Sequence, residues 1–157
     1  CFTHARNGWG GLVEAAGGEN IGSQLLPGAT GTVSVEKIIS LNPDFYLMSG
    51  SKRPGKGTAI IPFGYNVDQK EVVTAFNALL ARQGVSSIPA VVQGHTGALY
   101  HHFYNNPYNI VAIETLSKIF YPDLFKDIDP LADYHAIIKN FTQIPDDNIV
   151  LSYTPSH

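Results

Sequence analysis

Apolar positions recur at helical spacing in five stretches of the chain, with short, mostly apolar runs between them. Leu12, Val13 and Ala16 share one side of a short helix that opens at Asn7 or Gly8. Gly17-Gly18 stops it, because glycine readily takes the left-handed turn after a helix. Val35, Ile38 and Ile39 form the inward side of a second helix, with Ser34 as N-cap, Glu36 in its first turn and Asn42-Pro43 as its break. Val72, Phe76, Leu79 and Leu80 place a third between Asp68 and Gln83, ended by Gly84. Asn106-Pro107 starts a fourth, whose apolar face is Ile110, Ile113, Leu116 and Phe120, and Pro122 closes it. A last amphipathic helix runs from about Leu131 to Phe141, and residues 143–157 read as a peripheral tail.

The run from Asp44 to Ser49 has the composition of a buried parallel strand. Ile88 to Gln93 and Ala98 to Phe103 are further strand candidates, and Asn20-Ile21 a brief extended piece. Gly28 to Thr32 and Ser49 to Tyr65, both punctuated by glycine or proline, read as loops. Strands alternating with helices, without internal repeats, predict a single α/β domain over residues 1–157: a Rossmann-like, three-layer arrangement with a mostly parallel central sheet flanked by helices. Ligands of such sheets sit at loops beyond the carboxyl ends of strands. Three loops qualify: Thr3 to Trp9, Ser49 to Arg53 and Tyr100 to Asn105.

Composition narrows the picture. A chain of 157 residues with 44% hydrophobic and 15% charged residues has enough apolar surface for one core and too little charge for a disordered or coiled-coil chain. Two complete α/β lobes do not fit in that length. The net charge of −3 and the absence of a basic stripe argue against nucleic acid as partner. Cys1 is the single cysteine, so neither an intramolecular disulfide nor a thiolate-rich metal site is available. The start, Cys1-Phe2-Thr3-His4, has neither Met nor a signal-peptide pattern. It reads as a lipid-modified first residue or, since Phe2 and Trp9 follow without a polar tether, as a fragment of a longer exported protein.

The candidate chemistry lies in the three loops. Gly50-Ser51-Lys52-Arg53-Pro54-Gly55-Lys56-Gly57 nearly matches a phosphate-cradling loop. Gly57 stands where a magnesium-binding Ser or Thr belongs, and no helix pattern follows to aim its N-terminus at phosphate. The segment is therefore either a cationic loop facing an anionic ligand or a solvated one. His101 and His102 are adjacent, and strand neighbours point to opposite faces, so they do not chelate one ion together. With His95 nearby but no completing carboxylate or cysteine, no metal site built by the protein is expected. Tyr100, His101, His102, Phe103 and Tyr104 read instead as an aromatic, hydrogen-bonding wall for a ligand, or as an ordinary strand end. Arg6 and Trp9 serve either packing and solvation or charge recognition and stacking. No nucleophile elbow is present, and Glu114 is either a catalytic acid or a buried hydrogen-bonding carboxylate.

Ala16-Gly17-Gly18-Glu19-Asn20-Ile21, then Val33 through Asp44 and an apolar strand, then Tyr104 through Glu114 and Tyr121 through Asp127, resemble in this order the C-terminal lobe of class III periplasmic substrate-binding proteins. The likeness covers roughly residues 7–142. The family serves ABC importers of iron–siderophores, haem and cobalamin, so the resemblance implies one lobe of a bilobal, non-enzymatic binding protein in the periplasm or anchored outside the membrane. It implies no cofactor, a metal chelate or other small anionic ligand as cargo, and as further partners an ABC permease and a missing N-terminal lobe. Carried over position by position, it implies ligand contacts from Arg6, Trp9, Ser49, Arg53, Tyr100, His101, His102 and Tyr104, and permease docking through Glu36. The helix-dipole role of Glu36 is compatible with docking. The alternatives are a metal oxyanion such as molybdate as cargo, a small phosphate-handling α/β enzyme using Lys52, Arg53 and Lys56, and an interaction domain without a small ligand.

Overall fold

Proline, glycine and capping side chains set most element boundaries in the computed structural model, which describes residues 1–145 and 148–155. The order begins β1 (Phe2–His4), α1 (Trp9–Ala15), α2 (Gly22–Leu25), β2 (Thr30–Thr32), α3 (Val35–Leu41) and β3 (Tyr46–Gly50). It continues with β4 (Gly64–Tyr65), α4 (Gln69–Leu80), α5 (Pro89–Val92) and β5 (Thr96–Tyr100). After β5 come a 3-10 turn (His101–Asn105), α6 (Asn109–Phe120), α7 (Pro130–Phe141), β6 (Ile149–Val150) and β7 (Ser152–Tyr153). The fold class is α/β, as the alternation of elements predicts.

The elements fall into two compact units. The first holds Cys1 and residues 33–101 and 148–155, and its centre is a three-stranded sheet in the order β3-β5-β7. β3 and β5 run parallel, with Tyr46 opposite Thr96 and Gly50 opposite Tyr100, whereas β7 lies antiparallel on the other side of β5. Ile61, Phe63, Val67, Val72, Ala75, Phe76 and Ala98 form the core beside this sheet. The caps of its helices are those the sequence indicates. Ser34 Oγ accepts the Lys37 N–H at 3.2 Å to start α3, and an Asp68 carboxylate oxygen accepts the Lys70 N–H at 2.8 Å to start α4. Asn42 ends α3 in the left-handed region.

The second unit comprises residues 2–32 and 102–145 of the described chain. β1 and β2 pair antiparallel, α1 packs on α6, and α6 packs on α7. Trp9, Leu12, Val111, Ala112, Leu116, Tyr134 and Ile138 are buried in it. Asp129 caps α7 through the N–H groups of Leu131 and Ala132, both at 3.1 Å, with Pro130 in the first turn.

Several local expectations differ from the structure. Ile88 to Gln93 is the short helix α5 rather than a strand, because Pro89 presets its first turn and so short an apolar run carries no periodicity to distinguish the two. Thr30–Thr32 is a strand rather than a loop. Its Thr-Gly-Thr sequence offers no apolar alternation, and the backbone pairing with β1 defines it. Ile21 is not extended but helical in backbone, since the Asn20 side chain accepts the Gly22 N–H at 3.2 Å and turns the chain into α2. β5 ends at Tyr100, so the continuation to Phe103 is a 3-10 turn. On α6 the buried face is Val111, Ala112, Thr115, Leu116 and Ser117, and Ile110 is exposed. Thr115 tolerates burial because its hydroxyl donates to the Val111 carbonyl at 2.7 Å, which a count of apolar residues overlooks. Within the expected tail, Ile149–Val150 is β6, paired with β4, and Ser152–Tyr153 is β7, paired with β5, with Leu151 between them buried; residues 146–147 and 156–157 of that tail lie outside the described residues. No helix among the described residues is long and apolar enough to cross a membrane.

Candidate functional site

In the first unit the parallel register brings the carboxyl ends of β3 and β5 to one edge. Ser49 and His101 meet there, the serine Oγ lying 2.9 Å from the imidazole Nδ1. This bond orients the ring of His101. Gly50 lets Ile61 come close: a Cβ on it would stand 2.3 Å from the Ile61 carbonyl oxygen. The Lys52 N–H then reaches the Phe63 carbonyl at 2.8 Å, and the Lys52 ammonium bonds the Asn66 carbonyl at 2.6 Å. Arg53 is exposed in the loop that follows. Tyr100 is half-buried, packs in part against the core and rests over Gly64. The near-match to a phosphate cradle is not completed, because a three-residue 3-10 turn follows Lys56 and the next α-helix begins at Gln69.

In the second unit Asn20 fixes the chain after β1. Its Nδ2 donates to the carbonyls of His4 at 3.0 Å and Ala5 at 3.2 Å. Ala5 is fully buried, whereas Arg6 beside it is exposed. Asn7 and Gly8 both have positive φ and turn the chain into α1, and a Cβ on Gly8 would stand 3.1 Å from the Tyr104 ring. Tyr104, 37% exposed, also lies beside His4 with ring centroids 6.4 Å apart. Burial lowers the pKa of His4 from 6.5. His102 is exposed, and its carbonyl accepts a bond from Asn106 Nδ2 at 2.9 Å.

The expected wall from Tyr100 to Tyr104 is thus not continuous, since Phe103 is fully buried and a 3-10 turn replaces strand alternation. Trp9 is only 8% exposed, and its indole N–H is buried without a hydrogen-bond partner, so little of the ring is open for stacking. His4, half-buried beside Tyr104, is a further ring at this loop. Its spacing from Phe2, two positions apart on β1, is its sign in the sequence: their rings meet edge-on at 5.5 Å. Glu36 is fully exposed, and its own backbone N–H and the Ser34 hydroxyl hold its carboxyl below the usual range. Among the described residues no group of three or more His, Cys, Asp or Glu side chains is placed to hold a metal ion.

The backbone has a close counterpart among solved structures. It matches the crystal structure of the TroA-like periplasmic binding protein FepB from Veillonella parvula with a TM-score of 0.89 over 99% of this chain, at 24% sequence identity. The fold is TroA-like. The resemblance to a class III binding protein read from the sequence therefore holds at the level of the fold. The chain spans 44% of the length of FepB. No protein-family model matches the sequence, and no curated protein does. Within the TroA-like fold, Ser49, Arg53, Tyr100 and His101 belong to the first unit, and Arg6, Trp9, His102 and Tyr104 to the second.

Proposed function

We propose that this chain is part of the solute-binding component of an ABC importer, working outside the cytoplasm together with a further lobe of the same protein. It captures a metal-containing ligand (an iron–siderophore, haem or a similar chelate) and passes it to the permease, without catalysing a reaction. The observation that supports this reading is the TroA-like fold, matched to a periplasmic binding protein over 99% of the chain.

In the first unit His101, oriented by Ser49, and the exposed guanidinium of Arg53 are the ligand-facing groups. Ser49 acts as a positioning residue, and Tyr100 supports the edge through its packing on the core. In the second unit Arg6, His102 and Tyr104 present charge and polar ring edges, while Trp9 supports the loop from within. Arginine suits an anionic chelate because its planar fork of donors stays charged at any working pH. Glu36, exposed on the first turn of α3, is the docking carboxylate for the permease.

Equilibrium dialysis of the complete protein against a ferric tris-catecholate tests the ligand roles. Arg53→Ala is expected to weaken retention about tenfold, the loss of one charge-assisted contact. Unchanged affinity would remove Arg53 from the site.

A further inference from the structure

The loop from Lys52 to Phe63 leaves the carboxyl end of β3 and is tied at its neck. There the Lys52 N–H donates to the Phe63 carbonyl at 2.8 Å, and the Lys52 ammonium bonds the Asn66 carbonyl at 2.6 Å. Ile61 and Phe63 are fully buried on the return, and the 3-10 turn Gly57–Ala59 packs on α4. A surface loop with its ends together and its own side chains packed holds its tip in place.

The tip is a tight turn. The Lys56 N–H donates to the Arg53 carbonyl at 3.4 Å, Pro54 takes the second position, and Gly55 takes the third with φ +74°. These are the marks of a type II turn, in which proline presets the second residue and the third needs a left-handed backbone. Such a turn sets its first and fourth Cα atoms within about 7 Å of each other, so the two cations Arg53 and Lys56 start from neighbouring points of the chain. Both are exposed. No acidic residue stands between Asp44 and Asp68, and among the described residues neither cation forms an ion pair.

The backbone adds to this charge. Lys56 is right-handed, at φ −90° and ψ −14°, and Gly57 follows in the left-handed region at φ +49°. That order of conformations turns successive backbone N–H groups to one concave side, which favours an anion. A Cβ on Gly57 would meet nothing within 4 Å, so the space beside it is open.

We propose that the Arg53–Lys56 turn is a two-cation clamp for cargo carrying more than one negative charge, with Lys56 as its specificity-determining residue. Two cations this close repel each other, and a multiply charged anion offsets both where a neutral ligand offsets neither. The clamp rests on the solute-binding role proposed for the chain and adds the charge class of the cargo to it.

Equilibrium dialysis of the complete protein compares ferric tris-catecholate, a trianion, with a neutral ferric tris-hydroxamate. The unmutated protein is expected to favour the trianion, and Lys56→Gln to lose about fivefold of that preference, the worth of a good exposed ion pair. Lys56→Arg is expected to restore it. Gly55→Ala keeps every charge but is strained at a positive φ, and is expected to lose part of the preference. A preference unmoved by Lys56→Gln, or retention of the neutral chelate alone, overturns the clamp and leaves the solute-binding role standing. Retention of neither chelate overturns both. An NMR titration of the unmutated protein with the diamagnetic gallium tris-catecholate needs no variant: the backbone N–H signals of Lys56, Gly57 and Thr58 are expected to shift, and unshifted signals refute the clamp.

Discussion

Replacing Asn20 separates a hydrogen-bonding role from mere occupancy at the turn that carries Arg6. Its side chain makes three bonds: two from Nδ2 to the carbonyls of His4 and Ala5, at 3.0 and 3.2 Å, and one to Oδ1 from the Gly22 N–H at 3.2 Å. All three are part-buried, so water reaches some of the groups that Asn20→Ala leaves behind. With a net contribution of about 0.5–1.5 kcal/mol for each neutral bond, the expected loss is roughly 2–3 kcal/mol. Asn20→Asp keeps the acceptor toward Gly22 but turns a carboxylate toward two carbonyl oxygens. It is expected to be worse than alanine at neutral pH and to recover as pH falls, when protonation restores a donor. The assay is chemical denaturation followed by the fluorescence of Trp9, the single tryptophan, which is buried in the same unit. An alanine variant within about 0.5 kcal/mol of wild type, the range of ordinary surface changes, would show that the three Asn20 bonds add nothing net to stability. An aspartate variant no worse than alanine at neutral pH would show the same of the two bonds from Nδ2.

Two further outcomes follow from the sites described. Burial lowers the pKa of His4, so its contribution to stability is present above 6.5 and is lost as pH falls through the folded value; the gap between wild type and His4→Gln in unfolding midpoint should change in that acid interval and be level above it. Glu36→Ala in the complete protein should leave chelate affinity intact while lowering uptake by cells, and normal uptake would count against docking through this residue.

Much of the fold was legible because local chemistry and tertiary structure agree. Ser34 and Asp68 cap helices as their types predict, and the apolar strand Tyr46–Gly50 does pair in parallel. The misses share a cause, which is structure set by partners distant in sequence. Thr30–Thr32 is a strand only because β1 lies beside it, and Ile149–Val150 only because β4 does. Short segments have too little periodicity to announce such pairing. At the candidate site, the strand-end rule located Ser49 and His101 correctly at one sheet edge, but no sequence rule revealed that the two are bonded to each other. Trp9 shows the converse: a tryptophan in a candidate ligand loop suggested stacking, yet packing takes up nearly all of its surface. The motif Gly17-Gly18-Glu19-Asn20-Ile21 gains a physical account, with Gly17 turning the chain at positive φ and Asn20 tying it back to β1.

Visible absorbance after equilibrium dialysis of the complete protein measures capture of a metal chelate directly. The protein side should retain a ferric catecholate, haemin or a similar coloured chelate in about one-to-one ratio, with little uptake of magnesium–ATP, since one pocketed ligand per molecule is the usual case for such sites. Equal partition of every chelate across the membrane, or saturable binding of magnesium–ATP instead, would show that the protein does not capture a metal chelate.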